Sequence, residues 1–256
     1  MMGEHGGPVL AIAAATLLAL LSLGSPARAC GAEALGEGHV AAISDSRTLL
    51  LSDGRSIRLA GIEWAVPPAT ARAHLARLLG NRTVTLRGVP AEDRYRRIHA
   101  FPSVSGSETP IQYSLLDQGL AVTGVRIGDP ACREKLLRRE RAARAARLGI
   151  WGSGDYRLHQ ADDPVAILQD RGRFAIVEGR VLSVRESGST TYVNFGRRWS
   201  EDFTVTIARR SLQAFAGLPP KSLAGRTVRV RGVIEERAGP WIEAVSADQF
   251  DWDGQR

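Results

Sequence analysis

Short apolar-rich runs over His39–Ser44, Arg47–Leu51 and Ser56–Ile62 read as strands, the last with Ile57 and Leu59 alternating with Ser56 and Arg58 as in a strand with one buried face. Between the last two, Ser52-Asp53-Gly54 supplies a hairpin turn, so the three segments predict a meander. The period then changes. Ala69–Leu79 carries Leu75, Leu78 and Leu79 at helical spacing and stops at Gly80-Asn81, after which Arg82–Arg87 and Arg97–Val104 read as two more strands. Tyr113–Gly119 predicts a short helix. A longer one opens with Asp129 as N-cap and Pro130 in the first turn, and runs to Leu148, where Gly149 stops it. Five short strands interrupted by a helix predict an OB-type barrel.

A second series follows a polar stretch. Phe174–Ser187, Thr191–Phe195, Phe203–Ile207, Arg226–Glu236 and Pro240–Val245 are strand-like, with Arg209–Ala216 as a helix between the third and fourth. In the fourth, Val228 and Val230 share one face while Thr227, Arg229 and Arg231 share the other, as in a barrel wall with one buried side; Gly232 interrupts the alternation. The pattern predicts another OB-like β-barrel, and a small sandwich fits the same strand order. The fold class is therefore mainly β with α, an OB-type barrel with three helices followed by an OB-like barrel. The expected units are residues 38–152 and 173–252, joined by a linker over 153–172.

The N-terminus adds a compartment. Val9–Leu23 is an apolar run that ends in Gly24-Ser25-Pro26 and Ala27-Arg28-Ala29, which reads as a signal peptide over residues 1–29 with an A-x-A cleavage site. It is short for a membrane span, and no second apolar stretch of about twenty residues follows. The expectation is an exported protein, periplasmic or secreted, without stable membrane insertion. Cys30 follows the cleavage site, but Arg28 stands where a lipobox needs a small uncharged residue, which argues against a lipid anchor. The exported setting permits Cys30 and Cys132, the only two cysteines, to pair; unpaired thiols are the alternative. Neither has a His or Cys at metal-ligand spacing, which argues against zinc.

The formal net charge is +7, and loss of residues 1–29 leaves it unchanged because Glu4 and Arg28 cancel. A basic exported protein favours polyanions, though an Arg-rich surface also serves solubility.

Asp53-Gly-Arg-Ser-Ile-Arg-Leu-Ala-Gly-Ile62, Asp93-Arg-Tyr-Arg-Arg97, Ser114–Ala121 ending in Gly-Leu-Ala, and Glu140–Trp151 occur in the order and spacing of one known family. Over roughly residues 38–152 the chain resembles the thermonuclease, or staphylococcal-nuclease-like, family. The resemblance implies an OB barrel that hydrolyses phosphodiester bonds with Ca2+, two phosphate-gripping arginines, two metal-ligand aspartates and a general-base glutamate. Arg58 and Arg97 match the arginines. Glu63 stands at the second metal-ligand aspartate, Trp64 at a residue that ligates through its carbonyl, Arg47 at the first aspartate and Val66 at the base. A valine cannot accept a proton, and a guanidinium repels calcium. Asp45, two residues from Arg47, is the substitute ligand if the strand bulges. His99 shares a strand face with Arg97 and is the nearest replacement base, while His74 belongs to a helix surface.

Three functions compete on this reading. The first is an exported thermonuclease-like protein whose Arg47, Arg58 and Arg97 bind nucleic-acid phosphates with hydrolysis weak or absent. The second is an active Ca2+-dependent nuclease using Arg58, Arg97 and Glu63 with calcium on Glu63 and Asp45. The third is an envelope scaffold for protein partners. In the second unit, Arg197, Arg198 and Trp199 are the expected nucleic-acid contacts, with Tyr192, Phe195, Trp241 and Arg209 of matching type, although most such aromatics serve a core.

Overall fold

The computed structural model describes Gly3 and residues 30–154, 156, 158–198 and 200–252. The expected signal peptide, Gly3 apart, and Trp199 lie outside the described residues, within which no helix is long and apolar enough to cross a membrane.

The first half is a closed five-stranded barrel in the order β1-β2-β3-β6-β5. Its strands are β1 (Glu33–Ile43), β2 (Thr48–Leu51), β3 (Ser56–Leu59), β5 (Thr83–Glu92) and β6 (Arg97–Val104). Alternation does the sorting: Ile57 and Leu59 of β3 enter the core with Val84 and Leu86 of β5, and Arg58 between the first pair is left facing out. The strand expected to run through Ile62 ends at Leu59. Gly61 turns the chain at φ +73°, where a Cβ would lie 2.9 Å from Leu136 and 3.1 Å from Phe101, and β4 (Ile62–Trp64) leaves the barrel to pair with β7 (Ala121–Thr123). Helix α1 (Pro68–Leu79) buries Ala71, Leu75 and Leu79, and α2 (Ile111–Asp117) buries Ile111, Gln112, Tyr113, Leu115 and Leu116.

Helix α3 (Pro130–Ala145) starts as its cap predicts, with Asp129 Oδ1 accepting from the Ala131 and Cys132 amides at 2.9 and 3.3 Å. It ends three residues before Leu148, because Arg147 takes φ +53° and Gly149 follows at φ +53° before the short α4 (Ile150–Ser153). A disulfide joins Cys30 to Cys132 and so fastens the chain ahead of β1 to the first turn of α3.

The second half begins inside the stretch expected to be a linker. β8 (Leu158–Gln160) pairs with β9 (Phe174–Arg180), and α5 (Pro164–Leu168), capped by Asp163, lies between them. The long strands expected next are each broken in two: β9 gives way to β10 (Ser183–Ser187), and β13 (Thr227–Val233) to β14 (Glu235–Arg237). With β11 (Thr190–Asn194), β12 (Thr204–Ala208), β15 (Gly239–Glu243) and β16 (Phe250–Asp251) they form two sheets, β10-β11-β12-β15-β14 and β16-β13-β9-β8. Because β9 continues into β10 and β13 into β14, the cyclic order repeats that of the first barrel, with β12 and β15 parallel as β3 and β6 are. Val193, Val205, Ile207, Val230 and Ile242 point into the enclosed core. The expected helix after β12 is a 3-10 stretch, Arg209–Phe215.

The polar side of β13 is not a solvated wall. Arg229 and Arg231 are both buried: Arg229 pairs with Glu178 and Asp251, and Arg231 reaches into the first half to meet Glu140 of α3. Beside them Val122, Ile150 and Ile176 form an apolar cluster with Val66, Trp151 and Phe174 packed on it. The seam joining the two halves is thus both apolar and ionic.

Candidate phosphate site

Three arginines converge on the outer surface of the barrel. Arg58 is carried by β3, Arg97 starts β6 beside it in parallel register, and Arg47 immediately precedes β2, whose Thr48 pairs with Arg58. Their charges repel one another. Burial lowers the pKa of Arg47 to about 10, helped by repulsion from Arg58 and Arg97 and opposed by Asp45; Arg58 is lowered by its own burial and by Arg97, against Asp45 and Asp93. Arg47, at about 10, is still cationic near neutral pH.

Each arginine is held differently. Arg97 is clamped by Asp93, whose Oδ2 accepts from Nε at 3.0 Å and from Nη2 at 2.8 Å, and Tyr95 lies with its ring centroid 4.8 Å from the guanidinium. The Arg97 guanidinium and the Tyr95 and Arg97 amides hold the Asp93 carboxyl well below the usual range. Arg47 spends its guanidinium on Glu63, to which its Nη1 donates. Arg58 has no hydrogen bond or ion pair among the described residues. It is the cation left available.

The carboxylates do not assemble into a calcium cradle. Glu63 faces the Arg47 guanidinium, while Asp45 accepts from the Arg47 amide at 2.6 Å and from Thr48 Oγ1 at 3.0 Å. Burial would raise the Asp45 pKa, but these bonds and the Arg58 charge outweigh it and lower it. Among the described residues no three of His, Cys, Asp or Glu cluster as ligands would. A dication seated on Glu63 would have to displace or approach a guanidinium, so this donor set does not fit calcium. Val66, expected at the position of the base, packs into the apolar cluster of the seam.

His99, opposite Arg58 in the ladder, is half-exposed and lies 3.2 Å from Asp93 Oδ2, and His74 contacts Arg77 on the surface of α1. Arg58, Glu63 and His99 line a cleft of about 670 Å3 that is also lined by Phe174, Val233 and Glu235 of the second half. The cleft beside Arg58 is therefore shared by the two halves. In that unit Arg197 and Arg198 are exposed at the β11–β12 connection, Arg198 pairs with Glu201 at 2.8 Å, and Phe195 is core.

Asp93 clamps Arg97 from four residues away across a tight turn, a spacing visible in the sequence motif itself. The second unit's share of the cleft carried no such signal.

Residues 68–153 match the family model described as staphylococcal nuclease homologue. The match includes Arg97 and begins after Arg47, Arg58 and Glu63. No curated protein matches the chain.

Proposed function

Taking residues 68–153 as part of a staphylococcal-nuclease-like domain, we propose that the protein is exported and binds nucleic-acid phosphates at Arg58, flanked by Arg97 and Arg47, and that it hydrolyses them weakly or not at all. The observation that carries this reading is the Arg58 guanidinium, unpartnered among the described residues and lining a cleft, beside an arginine already oriented by Asp93. An arginine fork with free donors suits a phosphate oxygen pair.

The loss of hydrolysis is supported by the two substitutions at the reacting centre. Arg47 supplies, on Glu63, the positive charge that a metal would otherwise bring, and Val66 contributes to the seam instead of activating water. The Cys30 sulfur is engaged in the disulfide, which supports a soluble exported form over a lipid-anchored one. A purely scaffolding role leaves the crowding of three arginines without a purpose.

The test is cleavage and binding of single-stranded and duplex DNA by the purified protein, with Ca2+ against chelator and with Arg58→Ala in parallel. Binding that survives chelation and weakens in Arg58→Ala, without cutting above that variant, is the expected result. Chelator-sensitive cutting that disappears in Arg58→Ala would establish an active nuclease instead.

A further inference from the structure

His99 shares one face of the first barrel with two arginines of the phosphate site. In the parallel ladder of β3 and β6, Ser56 pairs with Arg97 and Arg58 with His99, while Ile98 and Ala100 on either side of His99 pack on the core. The His99 ring is half-exposed and lines the same cleft as Arg58. Its Nε2 lies 3.2 Å from Asp93 Oδ2, the oxygen that also accepts from Arg97 Nε and Nη2. Asp93 and Arg97 are near enough to Arg58 for their charges to act on its guanidinium. Arg58, Arg97 and His99 are thus gathered about one carboxylate.

Asp93 is satisfied without His99, since its Oδ1 takes the Tyr95 and Arg97 amides at 2.8 and 3.1 Å and its Oδ2 the Arg97 guanidinium. It holds one ring nitrogen of His99 and leaves the other, Nδ1, with no hydrogen bond among the described residues. In a neutral ring with its proton on Nε2, Nδ1 carries a lone pair that repels a phosphate oxygen; protonation makes it a donor and adds a positive charge. The surroundings give that charge weight. Glu63, Asp129, Glu235 and Glu243 line the cleft against Arg58 and Arg126, so an anion at Arg58 meets more carboxylates than guanidiniums there. Carboxylates as a class titrate below about pH 5 and guanidiniums above about pH 9, which leaves the imidazole as the group on this face that changes charge between those limits.

We propose that His99 is a phosphate ligand that acts only when protonated: in mildly acidic medium its imidazolium joins Arg58 on the phosphate, and the site binds nucleic acid more tightly than at neutral pH. This rests on the phosphate-binding reading of Arg58. His99 then serves as a charge, not as the replacement base that the sequence offered.

The experiment is fluorescence-detected binding of a twenty-nucleotide oligothymidylate without terminal phosphates, whose diesters and bases keep one charge state between about pH 5.5 and about pH 8, the range in which imidazole titrates. The proteins are the unaltered chain, Arg58→Ala, His99→Gln and His99→Arg, each checked for folding by circular dichroism at both pH values. The unaltered chain should bind about tenfold more tightly at the lower pH. Its slope of log K against log salt should steepen by about 0.7, for one further counterion released from a single strand. His99→Gln should lose both changes, and His99→Arg should bind at the higher pH about as tightly as the unaltered chain does at the lower one. A rise of the same size in His99→Gln would place the titrating group elsewhere, as in His39 beside Asn81, His74 beside Arg77 or His159 beside Asp170, and overturn the proposal. If affinity is indifferent to pH while Arg58→Ala weakens binding, the phosphate site stands and His99 has no part in it. If Arg58→Ala binds as the unaltered chain does at both pH values, the phosphate reading itself falls, and this inference with it.

Discussion

Arg231 of β13 donates to Glu140 of α3 at 2.9 Å across the seam between the two halves, with both side chains almost completely removed from solvent. Its Nη1 also donates to the Thr123 carbonyl at 2.8 Å and its Nη2 to Asp251, which in turn accepts from Arg229 at 2.8 Å. Burial disfavours the Arg231 charge, yet Glu140 and Asp251 more than offset it and raise its pKa above the ordinary arginine value. The cleft lined by Arg58 takes residues from both halves, so whatever holds the seam also holds the cleft.

Removing one member of such a buried pair strands the other. Glu140→Ala should therefore destabilise the protein by about 3–5 kcal/mol, read from urea unfolding, whereas replacing Arg231 and Glu140 together by apolar residues of similar volume should cost far less. Equal losses in the single and double variants would show that the pair is not coupled.

Acid should act on the carboxylates. For Asp251 burial opposes ionisation, but Arg231 and Arg229 lower the folded pKa below the unfolded value; Asp45 and Asp93 are lowered too. The unfolded chain then binds more protons, so this stabilisation is complete above about pH 4 and is lost as pH falls through the folded values. The urea midpoint should fall between pH 5 and about pH 2, and Asp251→Asn should be less stable at neutral pH with a shallower acid slope. An unchanged slope in that variant would remove Asp251 from the account.

Reduction of the disulfide frees a loop with a sequence separation of 102 residues. On the chain-entropy model the loss approaches about 4–5 kcal/mol, so the urea midpoint should drop markedly in reductant, and Cys30→Ser/Cys132→Ser should reproduce it. A midpoint indifferent to reductant would mean the bridge adds little.

Arg47→Asp removes the guanidinium from Glu63 and adds a carboxylate near it and Asp45. Ca2+ should then raise the melting temperature of the variant but not of the parent; metal at a hundredfold excess over its Kd adds about 2.7 kcal/mol. A calcium-dependent rise in the parent would contradict the charge-swapped reading.

Arg58→Ala should weaken single-strand binding and lower the slope of log K against log salt by about one, because one phosphate contact with its released counterion is lost. A variant with reduced affinity and an unchanged slope would point to a structural effect of the substitution.

Much of the barrel was legible residue by residue. The Ile57-Arg58-Leu59 alternation predicts which way Arg58 points, Asp129-Pro130 marks the start of α3, and Ser52-Asp53-Gly54 joins β2 to β3. The segment taken for a linker was misread because Asp155–Arg173 is polar and its two elements are short. β8 has three residues and α5 has five, lengths over which periodicity carries little information.

Local sequence determined the two faces of each strand, the caps, the turns and the presence of arginines at matched positions, since these depend on neighbours within about one helical turn or one pleat. It did not determine what lies over a polar face. Arg229 and Arg231 read as a solvated wall, and only the approach of α3 and β16 turned that wall into a buried ionic seam. The Arg47–Glu63 contact likewise joins residues 16 apart, on segments that meet because the barrel closes and β4 then leaves it to pair with β7. Such contacts follow from the balance of all burial against chain entropy, a property of the folded whole that no window of sequence contains.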